Sequence, residues 1–516
     1  MLLSPNRSVP ENKRSDEPDL VQRQNVTAGG FVWKQGAVVS GTASRESALA
    51  VPRMSNRGGA AQARKPDWKY RVYSLSESVT SRMIYSGLIA RGLLLIGALV
   101  AGPLFAQSLA TEVNKELPNW LQVGGLYRAR FEGFLGRNFR DDDTDVHFLN
   151  RLRVDLTVRP TRWMRFVLEG QDARIYFNRS VPNASPFANP MDLRLGYLQF
   201  GDSDQSLLSL RAGRQDLNFG EQRLLGNFNW INVGRSFDAV RATLKYDRYR
   251  LDVFAASVVV PTPTGFDRPQ TGNNLHGLYG GIEKLPGGAT LEPYVLWRLA
   301  PRQVSENGTT GNLDFKTLGL RGTGRIGVVD YGAEVAGQVG SLGSDRVRAW
   351  AGHWGFGYTI TTRPWRPRFS AEYNYASGDR DPHDGVRGTF DVLYPSPHDQ
   401  YGLCDQVGWR NIHDVRFGGE AKPTPKLGFL TNYHDWWLAS ARDALYAPTG
   451  VAVVRRIDGS AGRHVGQEID FEASYLVTAQ IQVAAGVGHI FPGGFLKKTT
   501  PGAPYTFPFG MLNYTF

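Results

Sequence analysis

The sequence has a single cysteine, Cys404, among its 516 residues, so no disulfide can form within the chain. It also lacks a run of about 20 apolar residues, the length that a membrane-spanning helix requires. After Leu121, no long stretch repeats its apolar residues with the period of an α-helix. These absences argue against a disulfide-stapled fold, a helical membrane protein and a helical domain.

The excess of positive charge is small outside the N-terminal region. The chain has 59 Lys and Arg against 48 Asp and Glu, a formal net charge of +11, and residues 1–106 hold 14 of the basic and 7 of the acidic residues. Residues 107–516 therefore contain 45 basic and 41 acidic residues. The net charge is no indication that the folded part binds nucleic acid, and we expect no nucleic-acid partner.

A short apolar run in the N-terminal region is typical of a secretory signal peptide. Arg91 precedes the 13 residues Leu93–Phe105, and Ala106 offers a small residue before the cleavage point at Gln107. The run is too short to span a bilayer, and its two glycines and one proline make a buried core helix a poor alternative. We therefore predict a signal peptide over residues 83–106.

The residues before this signal peptide are predicted to contribute no folded structure. Residues 1–82 are rich in Arg, Ser, Asn, Gly and Pro and show no sustained apolar periodicity, so they cannot bury enough apolar surface to fold. They are disordered or are not part of the natural product, whose start is then Met83 or Met54. Residues 107–516 contain no Pro/Ser-rich tract or charge block and are predicted to be one large unit.

Apolar and polar residues alternate along this unit. The pattern is clear in "WLQVGGLYRARFEGF" from Trp120, in "HFLNRLRVDLTV" from His147 and in "MRFVLEGQ" from Met164, each with one exception. Because successive side chains of a strand point to opposite faces, each segment is predicted to be a strand with one apolar and one charged face. A soluble β-sandwich also alternates, but the predicted strands are long and aromatics such as Trp297 and Trp350 lie near their ends.

The C-terminal residues are the most specific sign of a membrane barrel. The chain ends "FGMLNYTF", which places Leu512, Tyr514 and Phe516 on one face. This arrangement is similar to the last strand of bacterial outer-membrane barrels, which the barrel assembly machinery recognises. At roughly 45 residues for two strands and their connections, the unit is long enough for about 18 antiparallel strands, with 16 and 20 as alternatives. A transmembrane all-β barrel of that width encloses an aqueous lumen.

Arginine recurs on the polar faces of the predicted strands and in the segments between them. The candidates for a lumen pathway are Arg128, Arg130, Arg151, Arg153, Arg165, Arg214, Arg223, Arg235 and Arg241. Rings of arginine form a pathway for anions, and the planar guanidinium group suits a carboxylate because it donates two parallel hydrogen bonds. Supporting carboxylates are predicted at Asp155, Glu169, Glu221 and Asp238. An inter-strand salt bridge within the lumen is an equally good explanation of each arginine.

Residues 107–516 resemble the alginate export family of outer-membrane barrels. The resemblance lies in "LRLGYLQFG", "AGRQDLNFGEQRLLGNFNWINVGRSFD", "NYASGDRDPHDGVRGTFDVLYPSPHDQYGLCDQVGWRNI", "NYHDWWL" and "GQEIDFEASY". It implies an 18-stranded barrel in which an anionic polysaccharide leaves the periplasm through an electropositive constriction. By motif, Arg194 and Arg214 are the first candidates for constriction arginines and Arg223 is the next. Another anionic glycan or a small carboxylate would use the same arginines.

We therefore expect an outer-membrane channel that exports an anionic polysaccharide similar to alginate. The alternative is a porin for the uptake of anions or small carboxylates. The expected partners are these solutes, outer-membrane lipid, the barrel assembly machinery and periplasmic secretion proteins. A barrel enzyme and a soluble adhesin are further alternatives, but no Ser–His–Asp set stands out, and we expect neither enzymatic activity nor a cofactor.

Two local motifs are interpreted as ordinary strand or turn sequence rather than as binding sites. "GTGRIG" at 322–327 has the spacing of a dinucleotide-binding loop but lies within alternating β-sequence, where no helix follows it. Asp379, Asp381 and Asp384 could together bind calcium, yet they are predicted to be turn residues of a long loop. We expect no metal site.

Overall fold

The computed structural model describes residues 109–202, 206–262, 265–305 and 308–516. The predicted N-terminal extension 1–82 and signal peptide 83–106 lie outside the described residues. A short helix α1 (Leu109–Glu116) precedes the first strand, and a second, α2 (Gly494–Thr499), precedes the last. Among the described residues, no helix has the length and hydropathy of a membrane span.

Most of the described residues lie in strands, with short connections mainly at one end and longer ones mainly at the other. The strands are β1 (Leu121–Leu135), β2 (Thr144–Thr161), β3 (Met164–Tyr176), β4 (Asn189–Phe200), β5 (Leu208–Gln215), β6 (Phe237–Tyr246), β7 (Tyr249–Val260), β8 (Arg268–Leu285), β9 (Ala289–Val304), β10 (Thr310–Ile326), β11 (Val329–Leu342), β12 (Asp345–Thr359), β13 (Arg368–Ala376), β14 (Val386–Arg387), β15 (Ile412–Ala421), β16 (Leu427–Leu438), β17 (Ala444–Tyr446), β18 (Ala452–Arg455), β19 (His464–Leu476), β20 (Ile481–Pro492) and β21 (Tyr505–Thr515).

Eighteen of these strands form a closed antiparallel barrel. Neighbours in sequence pair with each other, β13 pairs with β15 and β16 with β19 across longer connections, and β21 closes the barrel against β1. The short strands β14, β17 and β18 lie in the connections. The predicted strand number and antiparallel barrel are confirmed. The strands could be predicted because the period-two pattern specifies both the strands and the face that each side chain takes.

Short connections such as those between β6 and β7 and between β8 and β9 lie at the barrel end that we call the turn end. Asp247-Arg248 joins β6 to β7, and Pro286-Gly287-Gly288 joins β8 to β9. "GTGRIG" belongs to the end of β10 and the following turn into β11, an antiparallel hairpin that offers no helix N-terminus for a phosphate. We call the opposite end the loop end. Short periplasmic turns and longer extracellular loops are typical of outer-membrane barrels.

The outer face of the wall is apolar and the inner face is polar. On β10, Leu318 and Leu320 point outwards and are 51% and 47% exposed, whereas Phe315 and Thr317, at odd-numbered positions of the same strand, point inwards and are buried. Leu512 and Tyr514 of β21 lie on the outer face and pack with Ile481 of β20, as the terminal pattern predicts. The exposed apolar residues thus surround the barrel rather than forming one local patch.

Three long loops fold into the lumen and make it a packed interior. We call them L3 (216–236), L7 (377–411) and L8 (439–463). Trp230 of L3 and Trp409 of L7 are each only 1% exposed, and both are among the largest fully buried side chains. Phe390 packs edge to face on Trp409 at 5.5 Å between ring centroids. The hydrophobic core of the protein therefore lies inside the barrel, between these loops and the inner wall.

Candidate functional site

L3 and L7 are joined by backbone hydrogen bonds into one unit, which we call the plug. Tyr394 N donates to Leu224 O and Gly226 N donates to Tyr394 O, both at 2.9 Å, which makes a short parallel bridge. Ser396 N donates to Gln222 O at 2.8 Å. Because the two loops satisfy each other's backbone groups, they can occupy the lumen without leaving many polar groups unpaired.

Trp230 is the centre of the plug. Its ring stacks on the imidazole of His398 from L7, with centroids 4.8 Å apart and planes within 1° of parallel. The guanidinium carbon of Arg130 lies 3.5 Å from the centroid of the same ring. The tryptophan therefore joins L3 to L7 and joins both loops to the barrel wall.

Four predicted site residues form a surface that we call the arginine wall: Arg128, Arg130, Arg151 and Arg153 of β1 and β2. They hold L3 through neutral oxygens. Arg128 and Arg151 donate to the carbonyl of Asn229 at 3.1 and 2.8 Å, and both reach the carbonyl of Ile231.

The other two residues of the arginine wall hold the neighbouring positions of L3. Arg130 donates to Trp230 O at 2.9 Å and Arg153 to the side-chain oxygen of Asn229 at 2.6 Å. Arg130 also pairs with Glu132 at 2.7 Å. All four arginines are at most 6% exposed. Much of their charge therefore faces carbonyl dipoles, which are weaker acceptors than a carboxylate.

A second part of the lumen wall, separated from the arginine wall by β20 and β21, is acidic and holds L7. We give the name acidic wall to Asp414 of β15 and Glu468 and Asp470 of β19, all at most 1% exposed. Cys404 N of L7 donates to Glu468 Oε1 at 2.7 Å, and Leu403 N donates to Asp470 Oδ2 at 3.3 Å. The two walls are complementary to the loops they carry, because arginines meet carbonyls of L3 and carboxylates meet N–H groups of L7.

L7 fits against the acidic wall because β20 has no side chain at Gly488. A Cβ atom added there would lie 2.8 Å from Cys404 Sγ, 2.9 Å from Asp470 Oδ1 and 3.0 Å from Glu468 Oε1. These distances are too short for a carbon atom unless its neighbours shift. The glycine thus makes the space in which the loop and the wall meet.

His398 and Asp405 of L7 form a hydrogen-bonded pair within the plug. His398 Nδ1 and Asp405 Oδ2 are 2.5 Å apart. Burial, with a smaller contribution from Arg130, holds the pKa of His398 well below its usual range, and burial together with nearby carboxylates raises the pKa of Asp405. Both shifts favour the uncharged forms of the imidazole and the carboxyl.

Arg194, predicted as a constriction arginine, is held by carboxylates. It lies at an irregularity in the β3–β4 pairing, where the register shifts between Glu169 and Gly170. Its guanidinium group pairs with Glu169 at 2.8 Å and with Asp216 of L3 at 2.7 Å. Glu169 thus has the supporting position that the sequence predicts, and it also lies 3.6 Å from Arg153.

Arg214 and Asp238 form an ion pair at 2.9 Å near the loop end. On β5 and β6, the residues next to Arg214 and Asp238 in sequence face the lumen, so these two side chains face the other way. Arg214 shares a face of β5 with the exposed Leu210, and Asp238 shares a face of β6 with Val240, which is 59% exposed. The structure therefore places this pair on the side of the wall that carries the outer apolar residues and separates it from the arginine wall.

Arg223 and Arg235, both in L3, hold the plug together. Arg235 donates to Gly226 O at 3.1 Å and to Pro395 O of L7 at 2.6 Å. Arg223 donates to the hydroxyl of Tyr401 at 3.1 Å and pairs with Glu221 at 3.2 Å. Glu221 also accepts from Arg321 of β10 at 2.9 Å. Burial would raise the pKa of Glu221, but Arg223 and Arg321 outweigh it and lower that pKa to about 2.

Arg165 and Arg211 form a part of the lumen surface that neither a paired carboxylate nor the plug occupies. Arg165 donates to Tyr197 OH and Gln199 Oε1, both at 3.3 Å, and Arg211 donates to the same Gln199 oxygen at 2.7 Å. The guanidinium carbon of Arg211 lies 4.6 Å from the Tyr197 ring centroid. Within the described part of the chain, neither guanidinium group forms an ion pair. Both side chains are half-buried and face the turn-end part of the lumen.

Sequence reasoning missed Arg211 and the acidic wall. Arg211 could have been found, because Leu208, Leu210 and Ala212 alternate around it and place it on the polar face. Asp155, which was predicted as a supporting carboxylate, faces Glu169 across the β2–β3 pairing. It makes no ion pair within the described residues.

A recess of about 20 Å³ remains between the plug and the wall near β1 and β21. Arg130, Glu132, Trp230, Asp405 and Tyr505 are among the residues that line it. A volume of this size has room for about one water molecule. The recess has charged groups of both signs and one aromatic face on the plug.

Asp379, Asp381 and Asp384 are turn residues, as the simpler interpretation predicts. Asp379 Oδ1 accepts from Asp381 N at 3.0 Å, and Asp384 Oδ1 accepts from Val386 N at 2.8 Å. In the part of the chain that the structure describes, no group of three or more His, Cys, Asp and Glu side chains could hold a metal ion.

Comparisons with known proteins agree with this architecture. Residues 119–506 match the protein-family model for alginate export. Similar solved structures include OccAB2 of Acinetobacter baumannii, with 11% identity, 76% of this chain and 98% of that chain covered, and a TM-score of 0.51. OpdO of Pseudomonas aeruginosa has 13% identity, 78% and 99% coverage, and a TM-score of 0.51.

OccK2 (OpdF) of Pseudomonas aeruginosa, in complex with glucuronate, has 11% identity, 77% and 98% coverage, and a TM-score of 0.50. At these identities the likeness shows the fold alone. A comparison with curated protein sequences finds no significant match.

Proposed function

The chain belongs to the alginate export family and is a channel of the bacterial outer membrane, and we propose that it passes an anionic, uronate-type polysaccharide through its arginine-bearing lumen. A polyuronate carries one carboxylate on each sugar, so its passage needs a succession of cationic groups that bind weakly enough to release it. We propose a channel of this kind rather than an enzyme.

The pair of guanidinium groups at Arg165 and Arg211 is the observation that supports this proposal. Most other lumen arginines are occupied by carboxylates or by the plug, whereas these two donate to the neutral Gln199 and Tyr197. A passing carboxylate offers a stronger acceptor than either of these partners. It can therefore bind there without displacing a protein carboxylate.

Passage of a polymer further requires the plug to move. The arginine wall is occupied by the carbonyls of Asn229, Trp230 and Ile231, which a carboxylate can replace as acceptor. We propose that Arg128, Arg130, Arg151 and Arg153 belong to the anion pathway when L3 has moved aside. Arg194, Arg223 and Arg235, with Glu169 and Glu221, then keep the remaining parts of the route in place.

The second candidate is a channel for small carboxylates, with uptake as the direction. The packed plug favours it, because a monosaccharide acid needs less room between the loops and the wall than a polymer does. The structure of OccK2 with glucuronate gives a precedent for a uronate in a barrel of this fold. Both candidates use the same arginines and differ in whether L3 and L7 leave the lumen.

Block of single-channel current distinguishes the two candidates. The purified protein in a planar bilayer is titrated with monomeric glucuronate, with polyuronate fractions of increasing length, and with a neutral dextran as the control. Export of a polymer predicts block that strengthens with chain length. A small-carboxylate channel predicts block by the monomer and none by the polymers. Block by dextran equal to that by polyuronate would contradict both candidates.

We expect two groups of partners in the cell. The barrel assembly machinery would recognise β21, whose Leu512 and Tyr514 lie on the outer face beside the closing pair with β1. Periplasmic secretion proteins would meet the turn end, where the route begins for an exported polymer. Deletion of the gene tests the direction of transport, since a secretion defect supports export and a defect in uronate uptake supports import.

A further inference from the structure

Three exposed cations lie together on the outer face of the barrel. They are Lys316 of β10 and Arg346 and Arg348 of β12. The alternation on β12 places both arginines outside, because Val347 and Ala349 point inwards and are 3% and 7% exposed. Lys316 and Arg348 both pair with Val339 of the intervening β11, so they belong to one row across three strands. We call these three residues the outer basic cluster.

The outer basic cluster lies at the loop end, just beyond the apolar belt. The connection between β11 and β12 is only Gly343-Ser344, so Arg346 is one residue from the rim of the wall. On the outer face of β12, Trp350 follows Arg348 and is 46% exposed, whereas Phe356 and Tyr358 lie near the turn end of the strand. Because exposed aromatic residues mark the membrane interface, Trp350 places the cluster at the level of the lipid headgroups at the loop end.

The charges of the cluster are not compensated by nearby carboxylates. Over the described ranges, no acidic oxygen lies within ion-pair distance of Lys316, Arg346 or Arg348. Asp314, which is two residues from Lys316 on the same face of β10, accepts a hydrogen bond from Trp297 Nε1 at 2.7 Å. The same Trp297 ring has Lys316 Nζ 4.9 Å from its centroid. Elsewhere on the outer face, Arg174 pairs with Asp172 at 2.7 Å.

We propose that the outer basic cluster binds the phosphate-bearing headgroup of a lipid in the outer leaflet. Three unpaired cations at the edge of a lipid-facing surface are costly unless an anion meets them, and arginine binds phosphate through two parallel hydrogen bonds. Lys316 and Arg348 are two strand spacings apart, about 10 Å, and Arg346 is about 7 Å further along β12. A headgroup with one or two phosphates spans these distances.

The apolar surface below the cluster indicates a lipid rather than free phosphate. Leu318 and Leu320 continue the outer face of β10 from Lys316, and Val335 lies beside them on β11. A lipid bound by its headgroup would lay its acyl chains on these exposed side chains. Binding would then anchor the strands β10 to β12 at a defined depth.

The experiment compares thermal unfolding in two membranes. Wild type, K316Q/R346Q/R348Q and the matched control R174Q are placed in nanodiscs of phosphatidylcholine alone or with phosphatidylglycerol. Unfolding is followed by the heat-dependent change in gel mobility, which also shows that each variant has assembled. We expect phosphatidylglycerol to raise the unfolding temperature of wild type and R174Q by about 3–5 °C, and the triple variant to lose most of this rise.

Two results would overturn the proposal. An equal rise in the triple variant would show that the anionic lipid acts elsewhere on the barrel. An equal rise of the wild type in phosphatidylcholine on addition of inorganic phosphate would show an anion site that needs no lipid. Channel conductance should be the same in all three proteins, because the cluster lies on the opposite side of the wall from the lumen.

Discussion

At the scale of the residue, the partner of each arginine decides what the arginine can do. Arg194 is held between Glu169 and Asp216, so its charge is already matched and its position is fixed. Arg165 and Arg211 meet only neutral oxygens and retain the ability to bind a carboxylate. Identical side chains on one inner surface thus have different roles, which the residue type alone does not reveal.

This difference predicts the effect of removing the two uncompensated charges. In R165Q/R211Q, the concentration of glucuronate that half-blocks the current should rise about tenfold, the equivalent of about 1.4 kcal/mol and within the range of one charge-assisted hydrogen bond. The measurement is block of single-channel current in a planar bilayer. R174Q is the matched control, because Arg174 lies on the outer face and pairs with Asp172.

An unchanged half-blocking concentration in the double variant would show that the anion binds elsewhere in the lumen. A similar loss in R174Q would show instead a general effect of net charge.

At the scale of the element, the strands could be predicted from sequence and the plug could not. A strand reveals itself through alternation between near neighbours, as in β1 and β2, whose period of two is visible without any partner. The plug depends on contacts between residues far apart, such as Arg128 with Asn229 and Arg223 with Tyr401. L3 and L7 have no period, and their carbonyls and N–H groups carry no sequence signal.

The contact between L7 and the acidic wall predicts that one methyl group added at position 488 weakens this contact. In G488A, the added carbon meets Cys404 Sγ and two carboxylate oxygens at 2.8 to 3.0 Å, so L7 must move away from the wall. We expect more frequent openings of the channel and faster backbone hydrogen exchange over residues 398–405. G337A is the matched control, because a carbon added there has nothing within 4 Å. Equal exchange in G488A and wild type would contradict the assigned contact.

We expect the stability of the loop between β7 and β8, which we call L4 (261–267), to depend on pH. Burial and the adjoining Asp192 carboxylate raise the pKa of Asp267 to about 6. Since the folded form holds this proton more tightly than the unfolded form, the stabilisation is complete below about pH 4 and is lost as the pH rises through about 6.

Hydrogen exchange of Thr262 and of residues 265–267 should therefore be slower at pH 5 than at pH 7.5 after correction for the intrinsic rate. D267N keeps a neutral side chain and should remove the difference. A pH effect that persists in D267N would assign it to another group.

At the scale of the whole molecule, the barrel wall and the loops inside it are complementary. Arginines of β1 and β2 meet carbonyls of L3, and carboxylates of β19 meet N–H groups of L7. The composition of the chain could predict a wide barrel with a charged interior. It could not predict that the interior is filled, because that depends on which wall each loop contacts.

The reversal potential of the wild-type channel across a salt gradient tests the central claim most directly, namely that the arginine-bearing lumen conducts anions. The purified protein in a planar bilayer separates two potassium chloride solutions of different concentration, and the sign of the potential at zero current gives the selectivity. Our account predicts a sign that shows preference for chloride. A sign that shows preference for potassium would contradict it, whatever solute the channel carries in the cell.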